Sequence, residues 1–202
     1  NKRAGVYDSM NIKTRALRHE VHHVPSPAGI DFEKNGLHTS DSDLAIYVRP
    51  ESGNNILIGS EDPACDEQVW VDDPDDYDNV VSDEQWNAQV LRLARRMPDL
   101  GIPNEKKGVV DLYDVSDDWI PIYDRTDLDG FYVAIGSSGN QFKNAPVAGW
   151  CMAELIVAVE DGHDHDAAPL VVTGVHTGLE MDMGFYRRNR EINSDSSFSV
   201  NG

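Results

Sequence analysis

The chain has 202 residues, 40% of them hydrophobic, with 16 Gly and 10 Pro, an ordinary globular composition with enough apolar material for a core. It carries 36 acidic against 17 basic side chains, a formal charge of -19. That balance excludes nucleic-acid binding through a general basic surface and disfavours adhesion to anionic membranes. No apolar run approaches the ~20 residues that a membrane helix needs, and no signal peptide is read. Cys65 and Cys151 are too few for a disulfide framework and sit in no CxxC pair, so the expectation is a cytoplasmic protein.

Asp supplies 25 of the acids and Lys only 6 of the bases. The acids gather in loops such as Asp72-Asp73-Pro74-Asp75-Asp76-Tyr77-Asp78. Two readings fit: a solvated acidic face, or the adaptation of a halophile, whose salty interior screens like charges. The sequence starts at Asn1 rather than Met, and a piece of something longer is expected.

In chain order, Leu17, His19, Val21 and His23 alternate with Arg18, Glu20, His22 and Val24, the period of a half-buried strand. Pro25-Ser26-Pro27 ends it, and a polar loop is expected through Ser42. Leu44–Arg49 and Ile56–Gly59 read as a hairpin around a Pro50–Asn55 turn. Ser82 with Gln85 three residues on predicts a capped helix, with Trp86, Val90, Leu93 and Met97 on one face and Pro98 as its stop. Val109–Tyr113 is a further strand. Phe131–Ile135 reads as a short strand buried on both faces, followed by a Gly-Ser loop and an apolar helix over Ala145–Val159. The last forty residues read as a tail laid over the fold, with a basic patch at Phe185–Arg190.

Three stretches could carry chemistry. His19-Glu20-Val21-His22-His23 matches the H-E-x-x-H pattern of zinc hydrolases, which requires a helix. Here it lies in a predicted strand, where residues 19 and 23 stand roughly 13 Å apart, too far to share one zinc. His163-Asp164-His165-Asp166 offers adjacent metal donors but reads as a solvated acidic loop, and no metal is expected. Gly136-Ser137-Ser138-Gly139 leads from a strand into a helix with Pro146 near its start. Free amides and the helix dipole suit an anionic ligand there, and glycines permit close backbone approach. No G-x-G-x-x-G is present, so no complete dinucleotide fold is read.

Val109 to Ile122, followed by Gly130 to Glu154, resembles the C-terminal part of the FAD-dependent D-amino-acid oxidase superfamily, nearest its sarcosine oxidase and dimethylglycine dehydrogenase-like branch. Leu17–Val21 and Tyr47–Glu51 fit the substrate-domain strands of those proteins, and Phe185–Gly202 resembles the ends of some members. The resemblance implies an α+β chain: an antiparallel substrate-domain sheet over 11–107, a returning segment of the α/β FAD-binding domain over 108–160, and a C-terminal tail over 161–202. It implies non-covalent FAD, bound at Gly136, Ser138, Gly139, Asn140, Gln141, Phe142 and Lys143. Lys143 would meet a substrate carboxylate, Tyr113 would line the substrate cavity, and Arg49 is a weaker carboxylate candidate.

The departures carry consequences. Asn140-Gln141 replaces a family His-Gly. Asp111 stands where sarcosine oxidases carry the cysteine that bonds flavin. Leu57 takes the place of the lysine that aids reaction with oxygen, which favours a dehydrogenase over an oxidase. The function so implied is oxidation of a C–N bond in an amine or amino acid by hydride transfer to flavin. The Rossmann half is missing from this sequence and would come from the rest of the protein or from a partner chain, leaving the isolated piece inactive. The alternatives are a non-catalytic fragment or partner subunit of a split flavoenzyme and, behind it, a zinc hydrolase using His19 and His23.

Overall fold

The computed structural model describes residues 2–200. In order the elements are β1 (Thr14–Pro25), α1 (Phe32–Asn35), β2 (Thr39–Asp41), β3 (Ile46–Glu51), β4 (Asn55–Ser60), β5 (Val69–Val71), α2 (Asp83–Arg96), β6 (Gly108–Ser116), β7 (Ile122–Arg125), β8 (Tyr132–Ile135), α3 (Ala145–Glu160), β9 (Val171–Thr173) and β10 (Glu180–Asp182), with 3-10 turns at Gln141–Asn144 and Met183–Tyr186. Antiparallel sheets and helices together make the chain α+β. It divides into two compact units, Ala16–Tyr113 and the residues up to Arg15 together with those from Asp114 onward.

The first unit is built on one sheet in which β2, β3, β4 and β1 follow in order, while β5 and β6 also pair with β1. The expected hairpin forms with Tyr47 opposite Gly59, and Gly53 and Asn54 take the positive φ that closes its turn. The polar stretch after β1 is not wholly loop, since it holds α1 and β2. Ser82 caps α2 by accepting the Gln85 amide at 3.2 Å. Trp86, Val90 and Leu93 are buried with Ile46, Val48, Ile56, Ile58 and Val24, so α2 covers one face of the sheet.

The period of β1 hides a reversal. Leu17 and His19 are buried on one face, but so are Glu20, His22 and Val24 on the other. The residues that read as the wet side of the strand lie under α2. They remain there because their charges are answered. Arg18 donates to Glu20 at 2.5 Å, the Ser82 amide donates to it at 2.9 Å, and His22 meets Glu20 through Nε2 at 3.2 Å and the Gln89 side-chain oxygen through Nδ1 at 2.8 Å. Burial by itself would raise the Glu20 pKa, but these bonds from His22, Arg18 and Ser82 outweigh it and bring it to about 2.

The second unit contains the β7–β8 hairpin, the β9–β10 hairpin and α3. Among the described residues β8 pairs only with β7, and within β8 Val133 alone is buried, so it is not the doubly covered strand its apolar run suggested. Nor is the C-terminal stretch a superficial tail. Val172 and Met183 form a core with Tyr123 and Cys151, and His165 is fully buried. Two arginines of the basic patch are likewise internal, while Phe185 stays exposed. Arg188 contacts Asp124, Asp127 and Asp166, and Arg190 contacts Asp118, with both arginines buried. Short-range periodicity could not show this, because the acidic partners lie 22 to 72 residues away.

Candidate functional site

Each unit presents one candidate surface. In the second unit the Gly-Ser loop after β8 is held open by a carboxylate. Asp114, on β6, accepts the Gly136 amide at 2.6 Å, the Ser137 amide at 3.0 Å and the Ser137 hydroxyl. Ser138 is buried; its hydroxyl donates to the Gly136 carbonyl at 3.2 Å and accepts the Ser116 amide at 3.3 Å. The amides of Gly136 and Ser137 and the Ser138 hydroxyl are therefore committed to holding the loop, not free for an anion. Gly136 has a φ of 72°, and an added Cβ would lie 3.1 Å from that of Ser116. The glycine serves this close approach as much as any ligand.

What remains available lies one turn further on. Neither Asn140 nor Asn144 caps the helical starts with its side chain, and Pro146 has no N–H to satisfy. Lys143, Asn140 and Gln141 line a cavity of about 670 Å³ with Trp119, Tyr123 and Tyr186. Lys143 is exposed, and Phe142 points away into solvent at 96% exposure. The Asn140 and Gln141 side chains bond each other, and Gln141 also accepts from Asn144 at 2.8 Å, so the uncapped helix start, Lys143 and an aromatic-lined cavity of this size are what suit the electron-rich edge of a flat heteroaromatic ring such as flavin. Of the sequence-predicted binding residues, Asn140, Gln141 and Lys143 thus line one cavity, while Gly136, Ser138 and Gly139 lie in the loop that precedes them, Gly139 at a φ of 81°.

In the first unit, the sheet face away from α2 carries Tyr47 and Arg49 on β3, Leu57 and Gly59 on β4, His19 on β1 and Tyr113 on β6. Tyr113 and Arg49 therefore share a face, although Arg49 is half exposed and paired with Glu51 at 3.0 Å. Tyr113 stacks on His19 with ring centroids 4.3 Å apart, and its hydroxyl bonds that of Tyr47. Burial, then Tyr47, Asp62 and Asp111, push the Tyr113 pKa well up, so it stays a neutral phenol. His19 Nε2 lies 2.8 Å from Asp62. The sequence reading placed Tyr47 on a substrate-domain strand without singling it out, and it missed Asp62.

The H-E-x-x-H run lies in β1 as its alternation requires, with its first histidine engaged by Asp62. Among the described residues no group of three or more His, Cys, Asp or Glu side chains could hold a metal ion. Among them, too, no helix is long and apolar enough to cross a membrane.

A family model described as DAO, FAD dependent oxidoreductase, matches residues 3–155. The chain belongs to that family. Solved structures with a similar fold include L-proline dehydrogenase from P. horikoshii, at 19% identity and a TM-score of 0.59 over 81% of this chain and 40% of that one. Glycine oxidase from Bacillus cereus follows at 17% and 0.53, over 73% of this chain and 37% of that one. Iminodiacetate oxidase from Chelativorans sp. BNC1 stands at 14% and 0.50, over 77% and 38%. The chain thus spans about two fifths of the length of these structures. No curated protein matches it.

Proposed function

We propose that this chain is the C-terminal portion of an FAD-dependent oxidoreductase that oxidises the C–N bond of an amine or amino acid, of the sarcosine oxidase and dimethylglycine dehydrogenase kind. The family match over residues 3–155 carries the reading, and the wall formed by Asn140, Gln141 and Lys143 supports it. In this reading residues 11–107 form the substrate sheet, 108–160 return to complete the FAD-binding domain, and 161–202 follow as a C-terminal tail. The Rossmann half belongs to the remainder of the protein or to a partner chain. The span of two fifths of the neighbours' length equally fits a partner subunit of a split flavoenzyme, inactive alone.

When bound, FAD supplies the two-electron acceptor for a hydride leaving the substrate α-carbon. The residues of this chain prepare that transfer. Lys143 holds the substrate carboxylate through a charge-assisted hydrogen bond; Arg49, ion-paired with Glu51, is the weaker carboxylate candidate. The uncapped start of α3 favours negative charge at its end. Tyr113, kept neutral, donates or accepts a hydrogen bond without charge of its own. Loss of the hydride leaves a C=N bond; water adds there, and the product separates into a carbonyl compound and an amine, with the proton passing to solvent.

Leu57, apolar and buried on the sheet face where related oxidases place a lysine, supports a dehydrogenase. Lys143→Met in the full-length protein tests the assignment. KM for amino-acid substrates should rise about 10- to 100-fold, the worth of one charged hydrogen bond. Amines lacking a carboxylate should be unaffected. An unchanged KM for amino acids would remove Lys143 from the site.

A further inference from the structure

The 670 Å³ cavity of the second unit is lined in part by the C-terminal segment, through Asn193, Asp195, Ser196 and Ser197. Two buried charges bring that segment there. Arg190 puts Nε 3.1 Å and Nη2 2.7 Å from the carboxylate of Asp118, and donates to the Ile120 carbonyl at 2.8 Å. Asp118 also accepts the Ile120 amide at 3.2 Å and the Asn193 amide at 3.3 Å. One carboxylate therefore ties down two stretches of the lining, residues 119–121 and the chain from Asn193 onward. It holds the first firmly enough to keep Trp119, a bulky residue, at a φ of 61°. Beyond Asn193 the chain turns. The Asn193 side-chain oxygen accepts the Asp195 amide at 3.0 Å, and its carbonyl accepts the Ser196 amide at 3.2 Å, so Asp195 sits within a built turn.

Among the described residues that line this cavity, Lys143 and Asp195 are the two that carry charge. Both are exposed, and among the described residues neither side chain has a hydrogen-bond or ion-pair partner, the other included. In a chain with 36 acids an exposed Asp is an ordinary surface feature. Asp195 differs because it shares a concave, aromatic-lined cavity with an unpaired lysine. An acid and a base placed so, without closing on each other, leave their opposite charges to a ligand that carries both. The lysine only donates and the carboxylate only accepts. The ligand group at Lys143 is therefore an anionic acceptor, and the group at Asp195 a cationic donor.

We propose that Asp195 is a substrate-binding residue: it takes the ammonium group of an amino acid whose carboxylate meets Lys143, so the zwitterion, and not the simple amine, is the substrate class. This rests on the reading that the cavity admits the substrate beside the flavin edge. Two contacts hold the molecule by both ends and fix the α-carbon between them. A simple amine or a simple carboxylic acid makes one of the two contacts and leaves the other charge of the cavity unanswered. The arginines of the C-terminal patch serve this site from within the fold, since Arg190 and Asp118 hold the turn that carries Asp195.

The test uses the full-length flavin-loaded protein and titration calorimetry with probes of one shape whose central carbon bears no hydrogen, so that none gives up a hydride. 2-Aminoisobutyrate carries both charges, pivalate the carboxylate alone and tert-butylamine the ammonium alone. 2-Aminoisobutyrate should bind more tightly than either of the others. Asp195→Asn should weaken it about 10-fold, the worth of one charged hydrogen bond, and leave pivalate unchanged. Asp195→Glu should restore part of the loss. Glu191→Gln removes the same charge from an exposed residue of the same segment outside the lining, and should change nothing. The proposal is overturned if 2-aminoisobutyrate binds no more tightly than pivalate, if Asp195→Asn leaves it unchanged or weakens pivalate equally, or if Glu191→Gln matches Asp195→Asn. An inert Asp195→Asn in a protein whose flavin amino acids still reduce refutes the role of Asp195 and spares the amine reading. Zwitterion binding that needs Asp195, in a protein whose flavin no amine or amino acid reduces, supports the site and refutes the amine reading instead.

Discussion

Glu20 shows how a single buried carboxylate can govern acid sensitivity. Its pKa falls from 4.5 to about 2 on folding, against the pull of burial, because His22, Arg18 and Ser82 all donate to it. The stability this provides is present above pH 4.5 and is lost as pH falls through 2. At 1.36 kcal/mol per unit it amounts to about 3 kcal/mol. Glu20→Gln should cost about 3 kcal/mol at neutral pH, since it strands Arg18 and His22, and should flatten the acid limb of a urea-unfolding series. An acid limb of unchanged slope would show that Glu20 is not its source. Gly136→Ala should cost about 1–2 kcal/mol, because φ is 72° and the new methyl presses on Ser116; a thermal melt of unaltered midpoint would contradict this. The special role of Gly136 was legible from its place after a strand. The commitment of its amide to Asp114 was not, because that partner lies 22 residues upstream on another strand.

Among the elements, α2 was legible from end to end. Ser82, Gln85, the Trp86-Val90-Leu93 stripe and Pro98 are local signals, and local signals suffice for a helix with one buried face. Ser82→Ala should lower stability by about 1 kcal/mol by freeing the Gln85 amide, read as a shift in the denaturation midpoint without a change of slope. A neutral outcome would mean that the acidic first turn, Asp83 and Glu84, carries the cap alone. β1 was legible as a strand but misread in its faces, because alternation records polarity and the buried charges there are paired. The C-terminal hairpin and its arginines were missed for the same reason: Arg188 and Arg190 look like surface residues until Asp124, Asp166 and Asp118 are brought to them. α3 is apolar all round, yet only Cys151 and Leu155 are buried, while Val147, Trp150 and Val157 stand exposed.

For the whole molecule, the charge of -19 sets the response to salt. If the surplus of aspartate suits a salty interior, the melting temperature should rise steeply between dilute buffer and molar KCl, as screening removes self-repulsion. A melt indifferent to salt would leave the acids as a plain solvated face. The fold of the sheet unit and the loop-to-helix segment were both legible, the first by periodicity and the second by its glycines. How the residues outside the Gly-Ser loop divide between holding the fold and facing a ligand required the coordinates. The most direct test of the account is the visible spectrum of the full-length protein that contains this chain, recorded before and after anaerobic addition of a panel of secondary amines and amino acids. The account predicts the absorption of oxidised flavin, released by denaturation as free FAD, and its bleaching by at least one member of the panel. A protein that carries no flavin, or whose flavin no amine or amino acid reduces, would contradict it.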